Sequence, residues 1–206
     1  MSRTLVLLRH GQTASNREKR IQGQLDVDLD DTGRDQAART APVVAALRPD
    51  VVWCSDLARA RATVAPVLRE LGREPSWAAY DARLREFHLG ERQGLTHEEY
   101  RALDAEEFAA FRSGEYDVVP GAEKAAEVGL RMSEALGELL RATPEGGTAL
   151  AVSHGAAIRV ATGALLGWPE TQFASLQGLA NCGWVVFREH ADDGRLRLEA
   201  YNRTVS

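Results

Sequence analysis

Apolar positions along the chain alternate between short continuous runs and longer stretches with helical spacing. Thr4-Leu5-Val6-Leu7-Leu8 is too short for a helix and contains β-branched Val6, which predicts a buried strand. Residues 15–27 are polar and aperiodic and predict a loop over the end of that strand. Asp30 is placed to cap a helix running to about Leu47, with Ala37, Ala41, Val44 and Leu47 on one face. Pro49-Asp50 breaks it, and Val51-Val52-Trp53-Cys54 predicts a second buried strand ending at Ser55-Asp56. Leu57, Ala60, Val64, Val67 and Leu71 mark one face of the next helix. It should end at Gly72 and kink at Pro66.

Trp77 to Tyr80 predicts a short third strand leading into Leu84-Arg85-Glu86. Thr96 and Glu99 form a capping box for a helix of low apolar content through Phe111, and Ser113 to Gly121 reads as a loop. Ala125, Val128, Met132, Leu136 and Leu139 face inward from a long helix. Gly146-Gly147 then turns into the strand Thr148 to Val152, which ends at Ser153-His154-Gly155 and is followed by a helix over Ala156 to Leu166. Cys182 to Phe187 and Leu196 to Tyr201 predict two strands joined around Asp192-Asp193-Gly194. Alternating strands and helices with short links imply an α/β fold. The expected form is a three-layer α/β/α sandwich around a mostly parallel sheet, with an antiparallel hairpin at its C-terminal edge.

Three of the predicted strands end in residues suited to phosphate chemistry. The first delivers Arg9-His10-Gly11, the second is followed by Ser55-Asp56-Leu57-Ala58-Arg59, and the last parallel one ends in Ser153-His154-Gly155. In a parallel sheet these ends share one edge, where ligands collect. Cations, imidazoles and backbone amides left open by a glycine such as Gly11 are what an incoming phosphoryl group requires.

Composition narrows the field. The chain has 206 residues, 44% hydrophobic content and a net charge of -5, which fits one soluble globular domain over residues 1–206. No run approaches the length of a membrane span, and no signal-peptide pattern opens the chain, so a cytoplasmic location is expected without a membrane partner. Arginines are scattered and the balance is acidic, which argues against nucleic acid. Cys54 and Cys182 lie in apolar runs and read as buried free thiols. No Cys/His/carboxylate spacing suggests a metal site, and a Gly-rich nucleotide loop and a Gly-x-Ser-x-Gly elbow are both absent.

Arg9-His10-Gly11, Ser55-Asp56-Leu57-x-Arg59-Ala60, Leu84-Arg85-Glu86-x-x-x-Gly90 and Ser153-His154-Gly155 together resemble the histidine phosphatase superfamily, the phosphoglycerate mutase-like group. Gln22-Gly23, Leu29-x-x-x-Gly33-x-x-Gln36-Ala37 and Pro120-Gly121-x-Glu123 extend the resemblance over nearly the whole chain. It implies phosphoryl transfer through a phosphohistidine, without metal or cofactor, on a small-molecule phosphate ester. The chain is also compatible with a homodimer.

By the same resemblance His10 is the nucleophile, Arg9 and Arg59 bind the phosphoryl oxygens, His154 donates to them, and Glu86 is the general acid. Substrate-binding positions are Gly11, Asn16, Gln22, Gly23, His88, Gly155 and Ala156. His88 faces either the leaving group or a structural role, and His97 and His190 read as surface residues. Residues 90–120 are expected to form a lid-like insertion, short for a mutase. The block from Leu84 to Gly90, with Gln93 to His97 and Gln22 to Asp26, is similar to glucosyl-3-phosphoglycerate phosphatases. Arg92 and Lys124 depart from the pattern and are expected to border the substrate and receive its second anionic group. A mutase, a broad-range phosphatase and an inactive binding module are the alternative readings.

Overall fold

The computed structural model describes residues 2–205. Six strands form one sheet: β1 (Thr4–Arg9), β2 (Val51–Cys54), β3 (Ala79–Tyr80), β4 (Thr148–Ser153), β5 (Trp184–Glu189) and β6 (Leu196–Arg203). Their order is β3-β2-β4-β1-β5-β6. β3, β2, β4 and β1 run parallel, and β5 and β6 complete the sheet antiparallel.

Among the described residues seven α-helices accompany the sheet: α1 (Ala14–Arg17), α2 (Asp31–Ala45), α3 (Ala58–Glu70), α4 (His97–Leu103), α5 (Ala105–Ser113), α6 (Ala125–Ala142) and α7 (Gly155–Leu165). The continuous apolar run of β1 is explained by its two covered faces. Leu5 and Leu7 point into a core shared with Val128, Met132 and Leu136 of α6 and Ile158 of α7. Val6 and Leu8 point the other way, against Ala41 and Val44 of α2 and Val64 and Val67 of α3. None of the described helices is long and apolar enough to cross a membrane.

Several boundaries differ from the sequence expectation. The loop after β1 contains the single turn α1, because Thr13 and Asn16 form a reciprocal capping box. The helix expected from Thr96 to Phe111 is two helices. Asp104 takes an extended conformation and caps α5 by accepting from the Glu107 N–H at 2.9 Å. α3 runs through Pro66, and α2 likewise contains Pro42. β3 shrinks to two residues, since Pro75–Trp77 forms a 3-10 turn. Cys182 stands before β5 in the left-handed region at φ 54, and both cysteines are free and buried.

Candidate active site

The carboxyl ends of β1, β2 and β4 bring the three motif loops to one edge, and the motifs also hold one another. Arg85 makes a two-pronged ion pair with Asp56, Nε to Oδ1 at 2.7 Å, tying the loop after β2 to the segment before Glu86. Ser153 Oγ donates to the Leu84 carbonyl at 2.7 Å. Arg131 of α6, paired with Glu123, donates to the carbonyls of Arg83, Arg85 and Glu86 at 2.7–3.0 Å. The Glu86 backbone is therefore fixed from one side by this network.

His10 lies in this frame with 2% exposure. Its Nδ1 is 2.7 Å from the Gly11 carbonyl, which only accepts, so Nδ1 carries the hydrogen. Burial first, then the charges of Arg59 and Arg9, hold its pKa well below the ordinary 6.5. A neutral ring with hydrogen on Nδ1 leaves the lone pair on Nε2, a nitrogen with no protein partner among the described residues.

Two guanidinium groups surround it. Burial lowers Arg59 to about 10, which still leaves it cationic at neutral pH. Its NH1 donates to Leu25 O and its NH2 to Gly23 O, both at 2.8 Å, and its Nε to His154 Nδ1 at 3.2 Å. Of a guanidinium's five donors, one on each terminal nitrogen is left over. Arg9 bonds the Leu179 carbonyl through NH1, while its buried Nε has no partner among the described residues. Gly155 makes room for it, since a Cβ there would meet Arg9 Nε at 3.1 Å.

Around His10 a cavity of about 170 Å³ is lined by Arg9, Asn16, Gln22, Gly23, Arg59, Glu86 and Ala156 among others. Asn16 Oδ1 is occupied by Thr13 and Asn181, and Gln22 Oε1 by Thr13, which leaves the amide NH₂ group of each without a partner among the described residues. The Glu86 carboxylate accepts from Ala157 N at 2.8 Å, Phe87 N at 3.0 Å and Ala156 N at 3.1 Å, seated on the N-terminus of α7.

Other expected positions fall elsewhere. The Gly11 N–H donates to Thr63 Oγ1 at 3.0 Å and is already engaged within the protein. A Cβ at Gly11 would stand 2.5 Å from the Gly33 carbonyl, so this glycine serves the approach of β1 to α2. His154 is fully buried, and its two nitrogens are engaged: Nδ1 accepts from Arg59 and Nε2 lies 2.8 Å from Ser55 Oγ. In this arrangement it positions Arg59 and has no spare N–H for a phosphoryl oxygen.

The exposed His88 lies beside Gly90 and Gly121, outside the cavity. Arg92 is spent on Glu107, Nε to Oε1 at 2.8 Å, and Lys124 Nζ donates to the Asp117 carbonyl at 2.7 Å. Neither of these cations lines the cavity; each is held by a partner elsewhere. Arg20, His97, Phe111, Arg112 and Tyr116 line it instead. Of these, His97 was expected at the surface. The Asp104 break turns α5 so that its last residues reach the cavity, which the apolar pattern of a single helix did not signal.

Residues 5–204 match the family described as "Histidine phosphatase superfamily (branch 1)". A glucosyl-3-phosphoglycerate phosphatase of Mycolicibacterium vanbaalenii is 39% identical, covering 97% of this chain and 94% of that protein. A solved structure of a mycobacterial glucosyl-3-phosphoglycerate phosphatase in complex with VO3 superimposes with a TM-score of 0.90 at 35% identity, covering 98% of this chain and all of that one. A 2,3-bisphosphoglycerate-dependent phosphoglycerate mutase of Mesorhizobium japonicum is 32% identical over 93% of this chain and 95% of its own length. With His10, Arg9, Arg59 and Glu86 gathered at one sheet edge and these likenesses running end to end, the chain belongs to the histidine phosphatase superfamily.

Proposed function

We propose that the protein hydrolyses a small anionic phosphate ester through a phosphohistidine on His10, with glucosyl-3-phosphoglycerate as the leading substrate. The observation that carries this reading is the state of His10: neutral, pinned through Nδ1–H to a carbonyl, with Nε2 free between two arginines. Such a ring is a nucleophile at neutral pH without a separate base.

In the first step the Nε2 lone pair forms a bond to phosphorus while the ester P–O bond breaks. Its electron pair leaves on the alkoxide, which takes a proton from Glu86. In the second step water attacks phosphorus and gives a proton to Glu86. The P–N bond then breaks and returns its electron pair to His10. Arg9 Nε, the spare N–H groups of Arg59 and the amides of Asn16 and Gln22 supply donors for the equatorial oxygens. Phosphoryl transfer draws most of its acceleration from such positioning and charge stabilisation. The substrate is suggested by the mycobacterial relatives, which act on a phosphorylated, glycosylated glycerate by name.

The test is rapid quenching during turnover. Acid-labile, base-stable phosphate on His10, absent in His10→Ala, is the expected result, with inorganic phosphate as product. Label on a serine or aspartate would overturn the mechanism, and isomer interconversion without phosphate release would make the protein a mutase.

A further inference from the structure

The cavity at His10 holds about 170 Å³, below the roughly 300–1,000 Å³ of ordinary small-molecule sites. A phosphoryl group fills much of it, so the rest of a substrate must leave through one of its walls. A second cavity of about 670 Å³ lies on the α4–α5 side, lined by Glu18, Lys19, Thr96, Glu98, Arg101 and Phe108. His97 and Arg112 line both cavities and so form the junction between them.

Four of the basic groups around the junction differ in what they have left to offer. Arg20 donates to the Gly94 carbonyl at 2.5 Å and lies 3.7–3.8 Å from Glu99 and Glu18. Arg101 stacks over the Phe108 ring at 4.9 Å. Burial, then Arg112, Lys19 and Arg101, lower the pKa of His97, leaving a neutral ring edge-on to Phe108. Arg112 closes the last turn of α5, and among the described residues no carboxylate pairs with it. It is the arginine that lines both cavities with its donors uncommitted.

The outer cavity is polar and carries both signs of charge, lined by Glu18 and Glu98 as well as Lys19 and Arg101. That lining suits a hydroxyl-bearing group and suits an acyl chain poorly. Its wall is held by Lys19, whose left-handed backbone (φ 53) places its carbonyl 2.8 Å from the His97 N–H. For a non-glycine residue this conformation is unusual and costs energy, which the surroundings must offset.

We propose that Arg112 is the specificity-determining residue for a second anionic group. The preferred ester is the phosphate of a hydroxy acid whose carboxylate meets Arg112 at the junction and whose polar remainder occupies the outer cavity. Arginine matches a carboxylate through two parallel N–H donors, and such bonds are the strong ones. This rests on the phosphatase reading above and transfers to Arg112 the role that the sequence suggested for Arg92 and Lys124.

The experiment compares 3-phosphoglycerate with glycerol 3-phosphate, which share a phosphate on a primary alcohol and differ in the carboxylate. The wild type should favour the acid in kcat/KM. Arg112→Ala should shrink that preference by about 10- to 150-fold, mainly through KM, as expected for one lost charge-assisted contact. Arg112→Lys should restore part of it, and Lys124→Ala should leave the preference as it is. Equal turnover of both esters by the wild type, or a preference that survives Arg112→Ala, overturns the assignment while the phosphatase reading stands. If neither ester nor an aryl phosphate releases phosphate, the phosphatase reading falls first and takes this inference with it.

Discussion

Removing the His154 ring separates two ways of using a buried histidine beside a phosphate. If His154 acts by holding Arg59, His154→Ala deletes one hydrogen bond from a charged donor, while the carbonyls of Gly23 and Leu25 still hold the terminal nitrogens. Such a bond is worth roughly 1.5–3 kcal/mol, or about 10- to 150-fold in rate if all of it is felt in the transition state. A direct donor to the phosphoryl group would cost about 10²–10³ in rate, so the two ranges overlap. A double-mutant cycle with Arg59→Ala resolves them. When His154 works through Arg59, adding His154→Ala to Arg59→Ala costs nothing further, and the coupling energy equals the whole single-mutant effect. The assay is steady-state kcat/KM on an aryl phosphate, with circular dichroism to show that each variant is folded. Folding must be checked because the change also leaves the buried Ser55 hydroxyl without its ring partner. Losses that add to within about 0.5 kcal/mol would refute the positioning role and return His154 to direct contact with substrate.

Two further outcomes follow from the same geometry. Glu86→Gln turns an amide NH₂ toward one of the backbone N–H donors at the start of α7, a loss common to every substrate; alkyl esters should lose a further 10²–10⁴ that aryl esters do not, and equal losses would remove Glu86 from the general-acid role. His10 and His154 both have folded-state pKa values below 6.5, so below 6.5 the unfolded chain binds more protons; stability should be full above about pH 6.5 and fall as the pH drops from there toward their folded values, whereas denaturant midpoints that stay flat from pH 7 to 5 would contradict their burial as neutral rings.

The elements that carry the site were legible because their signals are local. A five-residue apolar run followed by Arg-His-Gly specifies a strand and what it delivers, and three such strand ends on one parallel edge specify convergence. The inter-motif braces were legible only as motifs. Nothing in Asp56 or Arg85 alone says that they pair, yet their spacing from β2 and Glu86 leaves them face to face. The two halves of the broken helix show the opposite case. Low apolar content between Thr96 and Phe111 does not distinguish one helix from two, and Asp104 becomes a cap only because its carboxylate is free to turn onto the Glu107 amide.

Charge pairing was the least legible feature, and it decides specificity. Arg92, Arg112 and Lys124 are equally cationic in the sequence, and an unusual cation near a lid invites assignment to substrate. Pairing is set by geometry across seven to fifteen residues: Glu107 stands in the first turn of α5, where its two oxygens meet Arg92, and Tyr100 Oη adds a third bond to Glu107 at 2.6 Å. That network consumes Arg92 and in doing so fixes the angle between α4 and α5. The same angle carries the end of α5 to the junction of the two cavities, so the residue that falls there is Arg112. The arginine that departs from the family pattern thus acts at one remove, by aiming the arginine that remains unpaired.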